Sequence, residues 1–236
     1  MLQVGTILHG TYKIESYLSS GGFGNTYLAK NIEFDETYAI KEFFVKGVCQ
    51  RDGNSTTISV SNAENTNSFE QQREKFKKEA RRLRSLSNPH IVKVYDLFEE
   101  NGTAYYVMDY VDGENLSVRL KRTNAPLAES EVRNYLNQIL DGLEAIHNEG
   151  MFHLDIKPAN IMVDSHDVVK LIDFGASKQQ STVGGATMST GISYTNGYAP
   201  SEQMAQSYDK FGPWTDFYAL GATMYKLLAN QDPPSV

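Results

Sequence analysis

The stretch His153-Leu154-Asp155-Ile156-Lys157-Pro158-Ala159-Asn160 sets a carboxylate, an ammonium and an amide within six residues, and Asp173-Phe174-Gly175 begins thirteen residues after Asn160. An acid that orients a hydroxyl, a cation that neutralises a transferring phosphoryl group, and an Asn/Asp pair that holds magnesium form one working set for phosphoryl transfer. Upstream, Ser20-Gly21-Gly22-Phe23-Gly24 lies between two strand-like runs. Glycine lets backbone N–H groups approach an anion closely, so such a loop can lie over phosphates, although by itself it reads equally well as a β-turn. Tyr38-Ala39-Ile40-Lys41 places a lysine on a strand, where one ammonium could hold two phosphate oxygens; a strand lysine facing solvent is the commoner case.

These residues need elements to position them. Strand-like runs at Thr11–Leu18, Thr26–Ile32, Thr37–Phe44, Ile91–Phe98 and Thr103–Asp109 predict an antiparallel sheet. The last two flank Asn101-Gly102, a dipeptide suited to the positive φ of a tight hairpin. One helical pattern, Phe69–Leu86, interrupts the strands and ends before Pro89. Between strand and helix, 10 of the 14 residues from Ser55 to Ser68 are Ser, Thr or Asn, which predicts a mobile surface insertion too polar to pack. After Gly113 the pattern turns helical. Val132, Leu136, Ile139, Leu140, Leu143 and Ile146 predict a helix over Ser130–Glu149 capped by Gly150, and a second helix is expected over Pro213–Asn230. The expected organisation is a sheet-rich lobe over residues 1–110 and a helix-rich lobe over 111–236.

The 236 residues, 40% of them hydrophobic, are enough to bury a real core and rule out disorder as the main state. A single cysteine, Cys49, allows no internal disulfide and points to the cytosol. Met1–Gly10 lacks the basic start and apolar stretch of a signal peptide. The longest nearly apolar run, Phe217–Ala229, holds 13 residues including Lys226, short of the roughly 20 that cross a bilayer. It reads as a buried helix. A net charge of −7 disfavours non-specific binding to nucleic acid. Neither a membrane nor a nucleic-acid partner is expected for this chain.

Taken in order, these motifs resemble the protein kinase family, with matches from residue 12 to about residue 230. The resemblance is to bacterial, eukaryotic-like Ser/Thr kinases. It implies an α+β bilobal fold with an antiparallel N-lobe sheet, a C-helix and a mainly helical C-lobe. Ser19 to Thr26 then corresponds to the glycine-rich loop over ATP, with Ser19 in place of its first glycine and Thr26 in place of its valine. The nucleotide contacts implied are Leu18, Ser19, Ser20, Gly21, Gly22, Phe23, Gly24 and Thr26 from this loop, with Ala39, Lys41 and Met162 around the phosphates and the adenine ring. Met108 corresponds to the gatekeeper, and main chain at Asp109 and Val111 to the adenine contacts. Glu79, four residues before Leu83 and ten before Pro89, fits the C-helix acid that pairs with Lys41. Asp155 matches the catalytic aspartate, Lys157 the lysine that steadies the γ-phosphate, Thr195 the threonine that bridges them, and Asn160 with Asp173 the Mg2+ ligands. Asp216 matches the helix aspartate that anchors the catalytic loop. Gly197-Tyr198-Ala199-Pro200-Ser201-Glu202-Gln203 resembles the end of the activation segment. The function implied is transfer of the γ-phosphate of ATP to a protein Ser or Thr hydroxyl.

Three departures qualify the resemblance. Leu154 stands where most regulated kinases carry an arginine that pairs with a phosphate on the activation segment, so activity is expected not to depend strongly on that phosphorylation. The family ordinarily has further C-lobe helices after the one matching Pro213–Asn230; an incomplete C-lobe would leave an apolar helix face in water and promote self-association. The Ser/Thr/Asn-rich insertion lengthens the connection to a C-helix that carries Arg73, Lys75, Lys77, Lys78, Arg81, Arg82 and Arg84. Competing functions are an ATP-binding scaffold of the pseudokinase kind, an inactive fragment, and a small-molecule phosphotransferase sharing the His-x-Asp and Asn pattern. The complete set Lys41, Glu79, Asp155, Asn160 and Asp173 opposes the scaffold. Lys157, the Asp-Phe-Gly triplet and Ala-Pro-Ser-Glu-Gln oppose the phosphotransferase, while Lys157 and Thr195 favour Ser/Thr over tyrosine.

Overall fold

The computed structural model describes residues 1–21, 24–53, 55–174 and 194–234. They divide into two compact units, Met1–Ser87 with Val92–Tyr110, and Asn88–Ile91 with Val111–Val236.

The first unit contains β1 (Ile7–Leu8), β2 (Tyr12–Gly21), β3 (Gly24–Asn31), β4 (Thr37–Phe43), β5 (Cys49–Arg51), β6 (Ile58–Val60), α1 (Thr66–Ser85), β7 (Val94–Glu100) and β8 (Thr103–Asp109). Six strands form one antiparallel sheet in the order β1-β2-β3-β4-β8-β7. Side chains alternate between its faces. On one face Phe43 meets Phe69 and Phe76 of α1 at 5.1 and 5.5 Å between ring centroids, and Phe76 meets Tyr106 at 4.8 Å. On the other, Ile40, Tyr27 and Tyr105 pack with Leu2, Leu8 and Ile14 from the start of the chain. Asn101 and Gly102 adopt φ of 54° and 76°, the turn their types predicted between β7 and β8. The expected strand from Ile91 is shorter, since Ile91 bridges Leu171 in the second unit and β7 starts at Val94.

The expectation for Ser55–Ser68 is corrected. Residues 58–60 form β6 and pair with β5, Asn62 caps a 3-10 turn by accepting from the Glu64 N–H, and Thr66 to Ser68 open α1. One apolar anchor suffices: Ile58 is buried, and its N–H donates to the Asn101 carbonyl at 2.8 Å. A count of polar residues passes over the apolar Ile58 and Val60 at alternate positions of β6 and the side-chain cap that Asn62 supplies.

The second unit contains β9 (Gly113–Asn115), α2 (Leu116–Thr123), α3 (Glu129–Asn148), β10 (Ile161–Asp164), β11 (Val169–Leu171), α4 (Ser201–Met204) and α5 (Pro213–Ala229). A small antiparallel sheet runs β11-β10-β9. The buried stripe of α3 is Val132, Tyr135, Ile139, Gly142, Leu143 and Ile146. Leu140, expected inside, is 39% exposed, and Tyr135 takes the place given to Leu136. Gly150 closes the helix at φ 64°. On α5, Trp214, Phe217, Tyr218, Tyr225 and Leu228 are exposed while Ala219, Leu220, Thr223 and Leu227 are buried. Among the described residues no helix is long and apolar enough to cross a membrane.

Asp216 of α5 is fully buried. Its carboxylate accepts from the N–H of His153 at 2.9 Å and of Leu154 at 2.8 Å, and lies 2.8 Å from His147 Nε2. Leu154 is held at φ 61°, a conformation that side-chain-bearing residues seldom take, and its side chain packs against Phe211. Next to this anchor the His153 ring is fully enclosed. Its Nδ1 accepts from the Asp155 N–H at 3.3 Å, so Nε2 carries the proton and donates to the Ile172 carbonyl at 3.0 Å. Burial holds the imidazole below its ordinary value of 6.5, against the opposing pull of Asp216 and Asp155. Below that ordinary value the unfolded chain takes a proton that the folded chain refuses, so stability falls as pH falls. The slope from this group approaches about 1.4 kcal/mol per pH unit. Thermal unfolding followed from about pH 7.5 to about pH 5 should show this loss, and His153→Gln should flatten it; parallel profiles for the two proteins would contradict the assignment.

Candidate phosphoryl-transfer site

In the first unit, β2 and β3 pair up to Gly21 opposite Gly24, with Ser19 opposite Thr26 and Ser20 opposite Asn25. Leu18, Ser19 and Gly21 are exposed there. Gly22 and Phe23, expected in the same loop, lie outside the described residues. Gly24 is required by a close approach: a Cβ at this position would stand 2.3 Å from the Glu42 carbonyl oxygen. Two residues on, Thr26 lies opposite Lys41, which in turn lies opposite Tyr106 of β8. Lys41 is 8% exposed, with its ammonium 5.7 Å above the Tyr106 ring. Glu79 is also buried, one turn along α1 from Phe76, whose ring packs on the same Tyr106. The lysine and the acid are thus brought to one face of the sheet.

Ala39 and Met108 are opposite each other on β4 and β8, and both are buried. At the end of β8, Asp109 donates its N–H to the Lys93 carbonyl at 3.0 Å. Its carboxylate accepts from the Lys93 N–H at 3.1 Å and the Tyr95 hydroxyl at 2.6 Å. That hydrogen bond, with burial, raises the Tyr95 phenol.

In the second unit the expected residues converge around the loop that Asp216 holds. Asp155 pairs with Lys157 at 2.8 Å and accepts from Thr195 Oγ1 at 3.0 Å; Lys157 donates to the same threonine oxygen at 3.0 Å. This closes a triangle of carboxylate, ammonium and hydroxyl. Asn160 Nδ2 donates to the Asp155 carboxylate at 2.7 Å and to its carbonyl at 2.8 Å. With the amide nitrogen so committed, the Oδ1 of Asn160 is the atom turned to other uses. The Ile172 N–H donates to the Asn160 carbonyl at 3.0 Å, which sets Asp173, at φ 57°, one residue from Asn160's backbone. Phe174 is fully buried with its ring 4.5 Å from that of His153. Met162 is half-buried on β10, and Val111 is half-buried ahead of β9.

Among the described residues no group of three His, Cys, Asp or Glu side chains gathers as a closed metal cage. Asn160 and Asp173 nonetheless fit magnesium, which binds through one or two protein oxygens and takes its other ligands from phosphates and water.

Three supports were not found from the sequence. Gln203 donates to the Leu154 carbonyl at 2.7 Å and so ties the loop to the start of α4. His147 reaches Asp216 from the end of α3. Glu42, next to Lys41, is fully buried. Its signal was present: a charged residue on the strand face that also carries Ile40.

The protein kinase domain family matches residues 12–235. The chain is 32% identical over 234 residues to serine/threonine-protein kinase PrkC of Bacillus subtilis, covering 98% of this chain and 32% of that protein. It is 34% identical to serine/threonine-protein kinase F of Synechocystis, over 95% of this chain and 45% of that one. Against mitogen-activated protein kinase kinase kinase 2 of Arabidopsis thaliana it is 32% identical, over 92% of this chain and 31% of the relative. The chain thus spans about a third of the length of several of these relatives. Among solved structures, the apo form of PpkA-294 superposes with a TM-score of 0.86 at 29% identity, over all of this chain and 81% of that one. The Mycobacterium tuberculosis PknI kinase domain gives 0.70 at 26% identity, over all of this chain and 78% of that one. With the fold, the loop geometry and a match over nearly its whole length in agreement, this chain belongs to the protein kinase family.

Proposed function

We propose that this chain is a Ser/Thr protein kinase domain that transfers the γ-phosphate of ATP to a protein hydroxyl, with Mg2+. The observation that carries this is the closed Asp155–Lys157–Thr195 triangle with Asn160 hydrogen-bonded to the same carboxylate. Asp155 orients the substrate hydroxyl and accepts its proton, Lys157 neutralises charge on the γ-phosphoryl oxygens, and Thr195 keeps the two in register. Asn160 Oδ1 and the Asp173 carboxylate would hold magnesium, which supplies charge neutralisation across the phosphates when bound. Lys41 contacts the α and β phosphates and Glu79 fixes its ammonium. The nucleotide contacts assigned in the first unit are Leu18 to Gly21, Gly24, Thr26, Ala39, Met108 and the main chain of Asp109, and in the second unit Met162 and the main chain of Val111. The catalytic contribution is positioning and electrostatics in a preorganised site. Cys49, a free buried thiol, supports a reducing, cytoplasmic setting.

The direct test is transfer of labelled phosphate from ATP and magnesium to a basic Ser/Thr protein substrate. Asp155→Ala should lower turnover by about 10²–10⁴-fold. Equal rates for the two proteins would favour a nucleotide-binding scaffold, and phosphate found on an aminoglycoside or choline instead would favour a small-molecule phosphotransferase.

Leu154 supports a second expectation. Its side chain is 2% exposed and packs with Phe211, Phe152 and Tyr208, where an activation-segment phosphate would otherwise meet an arginine. Thr187, Ser189, Thr190 and Ser193 lie outside the described residues. Replacing all four by Ala should leave turnover within about tenfold of the parent, whereas a loss of about a hundredfold would show that phosphorylation drives activity.

A further inference from the structure

Glu42 and Lys41 are neighbours on β4 and so point to opposite faces of the sheet. The Glu42 carboxylate is fully buried, and four side chains answer it. Asn25 Nδ2 and the Tyr27 hydroxyl donate to Oε2, each at 3.0 Å. The Tyr105 hydroxyl donates to Oε1 at 3.0 Å, and the Arg51 guanidinium pairs with the same oxygen. Burial and then the Glu42 charge push the Tyr27 phenol up to about 12 and raise Tyr105 as well, so both remain donors. Arg51 is the single cation among these four and comes from outside the sheet, from β5, whose partner β6 lies in the stretch Ser55–Ser68 that the sequence presented as a polar insertion. Its side chain is 3% exposed, and its Nε donates to the Thr56 carbonyl at 2.9 Å. The hairpin is fastened at a second point, where the Thr56 hydroxyl meets Asn101 Oδ1 at 3.0 Å.

We propose that Arg51 is a positioning residue for the nucleotide: by neutralising Glu42 from the rear of the sheet, it fixes the seat of Lys41 and of the strand that leaves the glycine turn. This rests on the kinase function proposed above. The link to the turn is short. Asn25, which holds Glu42, is adjacent to Gly24, and the Glu42 carbonyl already crowds the place of a Gly24 Cβ. Without the guanidinium, a carboxylate buried among neutral donors must draw in water or move, and β4 and the start of β3 move with it. The effect expected is therefore on nucleotide affinity.

The test measures binding of ADP with magnesium by calorimetry to the whole chain and to three variants, with melting followed in parallel. Arg51→Met should weaken binding about tenfold and Arg51→Lys, which keeps the charge, by about threefold. Leu8→Ala removes buried volume from the cluster that also holds Tyr27 and Tyr105, but takes away no donor to Glu42; it should lower the melting temperature yet leave binding within about twofold. Should Arg51→Met fail to fold, the comparison of Arg51→Lys with Leu8→Ala decides. Arg51 variants that bind like the parent, or a Leu8→Ala protein weakened as much as they are, would overturn the proposal while leaving the kinase function standing. A parent chain that binds no nucleotide would overturn both.

Discussion

A fully buried carboxylate must be met by donors, and Asp216 meets that demand with the backbone of the loop that holds Asp155, Lys157 and Asn160. Its two oxygens take the N–H groups of His153 and Leu154, and His147 reaches it from α3. Removing one side of such a buried charged contact typically costs about 3–5 kcal/mol, so the loop has little freedom to leave. The left-handed backbone of Leu154 is sustained by this grip, and the next residue is Asp155. From there the hydrogen bonds run outward to Lys157, Thr195 and Asn160, and through Asn160 to the chain leading into Asp173. In the second unit Asp155, Lys157, Thr195 and Asn160 are thus linked by hydrogen bonds to a loop that one buried helix carboxylate holds.

The first unit uses the same device with a different acid. Glu42 is buried directly behind Lys41, and its four donors fix β3, β4, β8 and the β5–β6 hairpin to one point. In each unit a residue of the proposed site, Lys41 or Asp155, adjoins a segment held by a buried carboxylate. Such a network is costly to bury, and among the described residues Arg51 Nη1 has no hydrogen-bond partner, so it serves to hold its segments in one arrangement more than to add stability. Phosphoryl transfer asks for that kind of specification, since its charges must be met by groups already in place.

Much of this was legible in the sequence because its residues act locally. Asp155, Lys157 and Asn160 lie within one short loop, and the α3 periodicity and the Asn101-Gly102 turn are read from neighbouring positions. Thr195 and Asp216 came from the resemblance, since no local pattern joins them to Asp155. What escaped was tertiary. Nothing in the residues around Arg51 says that its charge ends on Glu42, and the stretch Ser55–Ser68, which supplies its partner strand β6, looked too polar to pack because the value of one buried Ile58 is invisible to a count of polar residues. Leu140 was misplaced for a related reason: helical spacing admits two adjacent stripes, and only packing chooses between them.

The most direct measurement is a crystal structure of the chain with magnesium and a non-hydrolysable ATP analogue. The proposed kinase function predicts a metal held by Asn160 Oδ1 and an Asp173 carboxylate oxygen at about 2.1 Å, with the Lys41 ammonium on the α and β phosphates. A nucleotide bound away from Lys41, or a metal held by neither Asn160 nor Asp173, would contradict it.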